Sequence, residues 1–157
     1  MGTAADGEQD LSAQGLRFAL VAARYNEAVV TALLDGARDA WRRRGGAESA
    51  LAIERVPGAF ELPLAARAFA RSGRVDAVVA LGCVIRGATA HFDFVAGECA
   101  SGLSRVMLDT GVPVSFGVLT VETLEQALER AGPDSLNKGG EALETALAMV
   151  QLLRRVA

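Results

Sequence analysis

The chain reads VDAVVAL over residues 75–81 and GCVIRGATAHFDFV over residues 82–95, and this stretch decides the fold. The first part is a nearly continuous apolar run, which predicts a buried strand. The second part reads as a tight turn, followed by apolar residues at helical spacing from Phe92 to Val106. Strand, turn and helix in this order place the turn at the carboxyl end of a strand. Open α/β sheets bind their ligands at that edge.

The turn carries groups that suit an anion such as phosphate. Gly87 allows the backbone to approach a ligand closely, and Thr89 offers a hydroxyl. The amide end of the following helix adds partial positive charge. His91 is the only histidine of the chain and stands beside this anion pocket. From the residues alone, a proton-transfer role and a hydrogen-bonded histidine at a helix start both stay open.

Length and composition predict one domain that forms a soluble oligomer. The 157 residues are enough to bury a core without a metal or a disulfide. Hydrophobic residues make up 51% of the chain, yet no apolar run approaches the ~20 residues that span a bilayer and no basic-then-apolar leader is present. We therefore interpret the apolar excess as a subunit interface and expect no membrane association.

The charge of the chain limits which partners it can bind, and its cysteines indicate the cellular compartment. The formal net charge is -3, and the one basic cluster, Arg42-Arg43-Arg44, is interpreted as the cationic end of a helix. The sequence therefore predicts no nucleic-acid partner. Cys83 and Cys99 fit reduced, buried thiols of a cytoplasmic protein.

Strand and helix patterns alternate along the chain. Strands are predicted at 16–23, 51–56, 75–81 and 113–120, and helices at about 27–44, 60–71, 92–109, 122–130 and from 137 onwards. This order predicts an α/β fold, a three-layer α/β/α sandwich with a four-stranded parallel sheet and helices on both faces. We expect the flavodoxin-like strand order 2-1-3-4. Residues 1–14 lack periodicity and are expected to form a flexible arm, before a single domain at 15–157.

Four segments that follow or close strands are expected to gather along one edge of the sheet. They are Tyr25-Asn26, residues 57–61, residues 82–91 and Phe116-Gly117. These segments resemble the 6,7-dimethyl-8-ribityllumazine synthase family. The matching motifs are VPGAFELP at 56–63, the stretch 82–95, FGVLT at 116–120, ERAG at 129–132 and NKG at 137–139. They follow the family's order and spacing, and the resemblance extends from about Phe18 to the C-terminus.

The resemblance implies a transferase of the penultimate step of riboflavin biosynthesis. Such an enzyme condenses 5-amino-6-(D-ribitylamino)uracil with 3,4-dihydroxy-2-butanone 4-phosphate and releases phosphate and water, with no cofactor and no metal. Imine formation, phosphate elimination, tautomerisation and ring closure each move a proton. By resemblance His91 is the general acid/base, since an imidazole accepts and donates protons near neutral pH.

The resemblance also assigns the binding residues. Those expected to contact the pyrimidine and its ribityl chain are Tyr25, Ala59, Phe60, Glu61, Cys83, Val84, Ile85, Phe116 and Lys138. Those expected to bind phosphate are Gly87, Ala88, Thr89 and Arg130. Tyr25 stands where the family usually stacks Phe or Trp on the pyrimidine, and Glu61 matches the acceptor for ribityl hydroxyls. The family more often has Thr at the position of Cys83.

From the residues alone, plainer interpretations of these side chains stay open. They are a partly buried core tyrosine for Tyr25, a core strand aromatic for Phe116, a helix-start acid for Glu61, a helix-end cation for Arg130 and a solvated helix-start cation for Lys138.

The resemblance implies at least a homopentamer, with Phe116 and Lys138 reaching a site of the adjacent subunit. It leaves open a decamer, a 60-subunit shell of twelve pentamers and an association with riboflavin synthase. Residues 133–136 read PDSL, where many bacterial members have TKAG. That loop lies near the contacts that join pentamers, so the higher assembly stays open.

Three other functions compete with this interpretation. A flavodoxin-like module would bind FMN at the same edge without turnover. A cysteine hydrolase would use Cys83 and His91, although no acidic residue is spaced to orient the histidine as a triad. A structural shell protein would assemble without activity.

Overall fold

The computed structural model describes residues 11–157. The strands are β1 (Phe18–Ala23), β2 (Leu51–Val56), β3 (Ala77–Ile85) and β4 (Val114–Val121). The α-helices are α1 (Glu27–Arg43), α2 (Leu62–Arg71), α3 (His91–Thr110), α4 (Leu124–Ala131) and α5 (Lys138–Val156). Short 3-10 turns at Glu48–Ala50 and Ala59–Glu61 precede β2 and α2.

The four strands form one parallel sheet in the order β2-β1-β3-β4, which confirms the predicted topology. Alternate residues of β1 enter two different cores, with Phe18, Leu20 and Ala22 on one side and Ala19 and Val21 on the other. All six residues of β1 are buried because helices cover both faces of the sheet.

The helices divide between the two faces, as the three-layer prediction requires. Helices α1, α4 and α5 share one core, in which the rings of Phe18 and Trp41 lie 5.0 Å apart between centroids. Helices α2 and α3 share the other core, through apolar residues such as Leu62 and Leu103. The edge of the sheet at the carboxyl ends of the strands lies between these two layers, and it positions the candidate site.

Strand β3 is longer than predicted. The sequence placed its end at Leu81 and a turn from Gly82 onwards, whereas the strand continues to Ile85. The reason is β4, which pairs with residues 82–85 and gives their backbone groups partners up to the pair Ile85 and Val121. The turn therefore covers only residues 86–90, and Cys83 lies inside the strand.

The start of α5 is fixed by close packing against α1. Asn137 has a left-handed backbone, with φ of 49°, and its Oδ1 accepts a hydrogen bond of 3.2 Å from the amide of Gly140, so it caps the helix and the predicted helix start at 137 is confirmed. A Cβ on Gly139 would collide with the backbone of Leu33. Only glycine fits there, and this contact sets the position of the neighbouring Lys138.

Most of the predicted N-terminal arm, residues 1–10, lies outside the described residues. Of its last four residues, Ala13 is buried, and its amide donates a 2.8 Å hydrogen bond to the carbonyl of Arg44. In the predicted cationic helix end, Arg42 pairs with Glu48 and Arg44 pairs with Glu144. Across residues 11–157, no helix combines the length and the apolar character that crossing a membrane requires.

Candidate active site

Hydrogen bonds tie together the carboxyl ends of β1, β2 and β3. The amides of Arg24 and Tyr25 donate to the carbonyl of Pro57, at 3.1 and 3.0 Å. Asn26 has a left-handed backbone with φ of 61°, and its Nδ2 donates a 2.9 Å hydrogen bond to the carbonyl of Cys83. These bonds hold the turns after β1 and β2 at a fixed distance from β3.

An aromatic ring and a carboxylate meet at Gly58. The ring of Tyr25 is 67% exposed and lies so close to Gly58 that a Cβ there would stand 2.6 Å from the ring. The amide of Gly58 donates a 3.2 Å hydrogen bond to Oε2 of Glu61. Phe60 is exposed beside them, and Ala59 is buried. The result is an open corner, the strand-end corner, that presents a ring face and carboxylate oxygens to a ligand.

The β3 residues predicted to line the site differ in what they present. The side chain of Cys83 is buried in the core shared with α1, and this burial raises the pKa of its thiol to about 11. Val84 and Ile85 are half-buried and pack on opposite faces of the sheet. Cys83 therefore reaches the strand-end corner through its backbone, and its thiol stays protonated at neutral pH.

The turn after β3 exposes the residues predicted to bind phosphate and transfer protons. Gly87, Ala88 and Thr89 are exposed, and no described atom lies within 4 Å of a Cβ built on Gly87. The hydroxyl of Thr89 accepts a long hydrogen bond, 3.4 Å, from the amide of His91. His91 is the first residue of α3 and is exposed.

Phe116, Arg130 and Lys138 line a different site, an open groove of about 590 Å³ along β4, hereafter the β4 groove. None of Tyr25, Glu61, Thr89 or His91 is among the described residues that line this groove. The structure thus divides the predicted site residues of one chain into two clusters.

Within the β4 groove, the two cations are held by neighbours on their own helices. Nη1 of Arg130 donates to the carbonyl of Gln126 at 2.9 Å and lies 3.5 Å from Oε2 of Glu129. Nζ of Lys138 donates to Oε2 of Glu141 at 2.9 Å. Both cations lie at the rim of a partly apolar groove that also contains Leu136.

The expectation that Phe116 shares the strand-end edge is wrong. Phe116 is the third residue of β4 and pairs with Ala80, five residues before the end of β3 at Ile85. It is 41% exposed because β4 is the last strand of the sheet. The reason for the error is that β4 begins at Val114, level with Val78 near the start of β3, and continues to Val121, so Phe116 lies near the amino end of its strand.

Two residues of the predicted strand-end segments, Asn26 and Arg86, were given no role in the site by the sequence, yet both make contacts near the strand-end corner. Asn26 bonds to Cys83, and a sequence signal existed, since Asn tolerates the left-handed backbone that such a turn requires. Arg86 pairs with Glu122 and Asp93 around the turn after β3. Its partner Glu122 is 36 positions away, so no local pattern pointed to it. Within residues 11–157, no cluster of three His, Cys, Asp or Glu side chains is placed to hold a metal ion.

The sheet order defines a flavodoxin-like α/β protein, a class in which the carboxyl edge of the sheet, where the strand-end corner lies, is the expected place for a small-molecule site. A family model described as 6,7-dimethyl-8-ribityllumazine synthase matches residues 15–154. This chain belongs to the 6,7-dimethyl-8-ribityllumazine synthase family. The resemblance drawn from the sequence motifs is thereby confirmed.

Curated relatives agree with the family model over nearly the whole chain. The 6,7-dimethyl-8-ribityllumazine synthase of Halorhodospira halophila is 56% identical over 148 residues, which cover 94% of this chain and 95% of that protein. The synthase of Chlorobium limicola is 53% identical and covers 94% and 96%. The synthase of Syntrophus aciditrophicus is 50% identical and covers 95% and 97%.

The structure contradicts the interpretation of the chain as a cysteine hydrolase. A nucleophilic cysteine needs an accessible thiol with a lowered pKa. Cys83 is buried, and burial raises its pKa. The sulfur also belongs to the core on the α1 side of the sheet.

Proposed function

We propose that this chain condenses 5-amino-6-(D-ribitylamino)uracil with 3,4-dihydroxy-2-butanone 4-phosphate to 6,7-dimethyl-8-ribityllumazine, with release of phosphate and water. The observation that carries the proposal is the grouping of Tyr25, Glu61 and His91 at the carboxyl ends of three adjacent strands, in a chain of the lumazine synthase family. This edge offers a ring face, a carboxylate and an imidazole to one ligand.

The pyrimidine binds in the strand-end corner. The pyrimidine ring stacks on the exposed face of the Tyr25 ring, which packs against Gly58. The ribityl hydroxyls donate to the carboxylate of Glu61. Its two oxygens have room for further hydrogen bonds besides the one from the amide of Gly58. Ala59, Phe60 and the backbone of Cys83, Val84 and Ile85 line the remaining surface.

His91 transfers the protons of the reaction. Its place at the start of α3, after the exposed turn, leaves the imidazole open to a bound substrate. Imine formation and phosphate elimination need a group that both accepts and donates protons at neutral pH. The hydroxyl of Thr89 accepts a hydrogen bond from the amide of His91. It thereby connects His91 to the turn 86–90, hereafter the phosphate turn.

The phosphate binds to Gly87, Ala88 and Thr89 of one subunit and to Arg130 of a neighbouring subunit. None of Gly87, Ala88 and Thr89 is among the described residues that line the β4 groove with Arg130, which supports this division. An Arg guanidinium matches the geometry of phosphate oxygens. Phe116 and Lys138 then approach the pyrimidine from the same neighbour.

We propose a homopentamer as the smallest active form. A site shared head to tail between neighbours forms a closed ring when the rotation between subunits closes, and the family resemblance implies a ring of five. Leu64, Phe94 and Leu108 are each at least 70% exposed in the single chain, which supports further burial between subunits. A decamer, a 60-subunit shell and a complex with riboflavin synthase would each need further contacts beyond those that form the pentamer.

One assay tests the function directly. The purified protein is incubated with both substrates, and lumazine absorbance and inorganic phosphate are followed together. The expected result is equal molar formation of both products at a rate that is linear in protein and far above the uncatalysed condensation. Product formation no faster than in the protein-free control would contradict the proposal. Native mass spectrometry of the same sample measures the assembly.

A further inference from the structure

Arg86 makes more side-chain contacts than any other residue of the phosphate turn. Its Nε lies 3.1 Å from Oε1 and 3.0 Å from Oε2 of Glu122, and its Nη1 lies 3.3 Å from Oδ1 of Asp93. Its guanidinium carbon lies 4.3 Å from the centroid of the Phe92 ring. The amide of Arg86 also donates a 2.9 Å hydrogen bond to the carbonyl of Val121.

These contacts close the turn on itself and fasten it to the sheet. Arg86 directly precedes Gly87, and Asp93 lies in the first turn of α3, two residues after His91. The bridge between Arg86 and Asp93 therefore spans the whole phosphate turn and the histidine. Glu122 directly follows β4, so the second bridge ties the same guanidinium to the end of a strand.

The turn has few other constraints within the chain. The hydrogen bond between Thr89 and the amide of His91 is long, and the space around Gly87 is open. The side-chain hydrogen bond to Glu122 is the main cause of a raised pKa for Arg86. The guanidinium thus stays charged, and it neutralises two carboxylates that would otherwise stand unpaired near a phosphate site.

We propose that Arg86 is a positioning residue of the lumazine synthase reaction, because it bridges Asp93 and Glu122 and thereby holds the turn 87–90 and His91 in the geometry that binds the phosphorylated substrate. This inference rests on the proposed function. Arginine suits the role better than lysine, since one planar fork reaches two carboxylates and stacks on the ring of Phe92.

The test uses the whole assembled protein and four variants. They are Arg86→Gln, Arg86→Lys, the triple variant Arg86→Gln/Asp93→Asn/Glu122→Gln, and Arg105→Gln as a control at an exposed arginine further along the chain, in α3. KM is measured for each substrate separately. Hydrogen exchange is measured over residues 86–92 without substrate, so that this readout does not depend on activity.

For Arg86→Gln we expect faster exchange and a KM for the phosphorylated substrate raised about fivefold to tenfold, with the pyrimidine KM within about twofold of wild type. Arg86→Lys should fall between wild type and Arg86→Gln, and Arg105→Gln should match wild type. The triple variant should stay impaired, because it lacks the bridges even though the unpaired charges are gone.

Four results would overturn the role of Arg86. They are unchanged exchange in Arg86→Gln, unchanged values of both KM in Arg86→Gln, equal rises of both KM values, and a triple variant that returns to wild-type KM. The last result would mean that Arg86 only balances the charges of Asp93 and Glu122. A wild-type protein without turnover would contradict the proposed function and, with it, this role. An active wild type whose Arg86→Gln variant keeps both KM values would overturn the role of Arg86 alone.

Discussion

The ring of Tyr25 packs directly on Gly58, where a Cβ would stand 2.6 Å from Cδ2 and 2.9 Å from Cε2 of the ring. The same Gly58 donates its amide to the carboxylate of Glu61. One residue without a side chain therefore sets the position of both groups that we propose to bind the pyrimidine and its ribityl chain.

Replacing Gly58 by alanine should weaken pyrimidine binding specifically. The new methyl must push the Tyr25 ring aside, so Gly58→Ala should raise the pyrimidine KM by about twofold to tenfold, the range expected for a lost aromatic contact. The KM for the phosphorylated substrate should change less. Gly97→Ala is the control, because a Cβ there meets no described atom within 4 Å. Equal effects of the two variants would contradict the role of the Tyr25 contact.

Removal of the imidazole should slow turnover without preventing assembly. Because orientation of the two substrates supplies much of the rate, His91→Ala should lower kcat toward the low end of the ~10²-fold to ~10⁴-fold range of general acid/base catalysis. The limb of the pH profile near neutrality should flatten. Steady-state kinetics between about pH 5 and 9, with native mass measured alongside, checks both points. An unchanged kcat would remove His91 from the mechanism.

Arg130 should act on one substrate only. A charge-assisted hydrogen bond to phosphate contributes about 1.5 to 3 kcal/mol, so Arg130→Ala should raise the KM for the phosphorylated butanone roughly tenfold to a hundredfold. The pyrimidine KM should change little. Arg71→Ala, at an exposed position of α2, serves as the matched control. Loss of both affinities together would indicate damage to the fold and not a lost phosphate contact.

The two buried thiols should make the fold sensitive to alkali. Burial raises the pKa of Cys83 to about 11 and that of Cys99 to about 12, from an ordinary value of 9.0. The folded chain therefore holds these protons at pH values where the unfolded chain has released them. Their contribution to the free energy of unfolding is complete below pH 9 and is lost as the pH rises toward 11 and 12.

A cysteine-free variant isolates that effect. Between about pH 8 and 10.5, the urea midpoint of Cys83→Ala/Cys99→Ala should fall less steeply than that of wild type at the same protein concentration. The comparison uses slopes, because the two substitutions also remove core volume and lower the midpoint at every pH. Parallel slopes would show that the thiols do not titrate differently in the folded and unfolded chains.

Most of the fold could be predicted from the strand and helix periodicities, because each element buries its apolar residues in a regular pattern. The apolar run before Gly82 identified the central strand, and Asn137 identified the start of α5. The end of β3 was misplaced because strand length depends on the partner β4, which no local pattern reveals. Motifs likewise named Phe116 and Arg130, but their place in the β4 groove depends on the register of β4 and on helix packing.

Contacts between distant residues were the part that the sequence could not provide. Asn26 bonds to Cys83 across 57 positions, and Arg86 bonds to Glu122 across 36 positions. No helical or strand periodicity in the sequence links the two residues of either pair. Such pairs become visible only once the sheet order places their strand ends side by side.

The central claim is that a complete site combines the strand-end corner of one subunit with the β4 groove of the next. Complementation between His91→Ala and Arg130→Ala subunits tests it most directly. In mixed rings formed at random from equal amounts, about one pocket in four unites an intact His91 with an intact Arg130. We predict that mixed rings, verified by native mass, recover about a quarter of wild-type activity, well above either parent. Mixed rings no more active than the average of the two parents would mean that each subunit holds its own complete site, and would contradict the account.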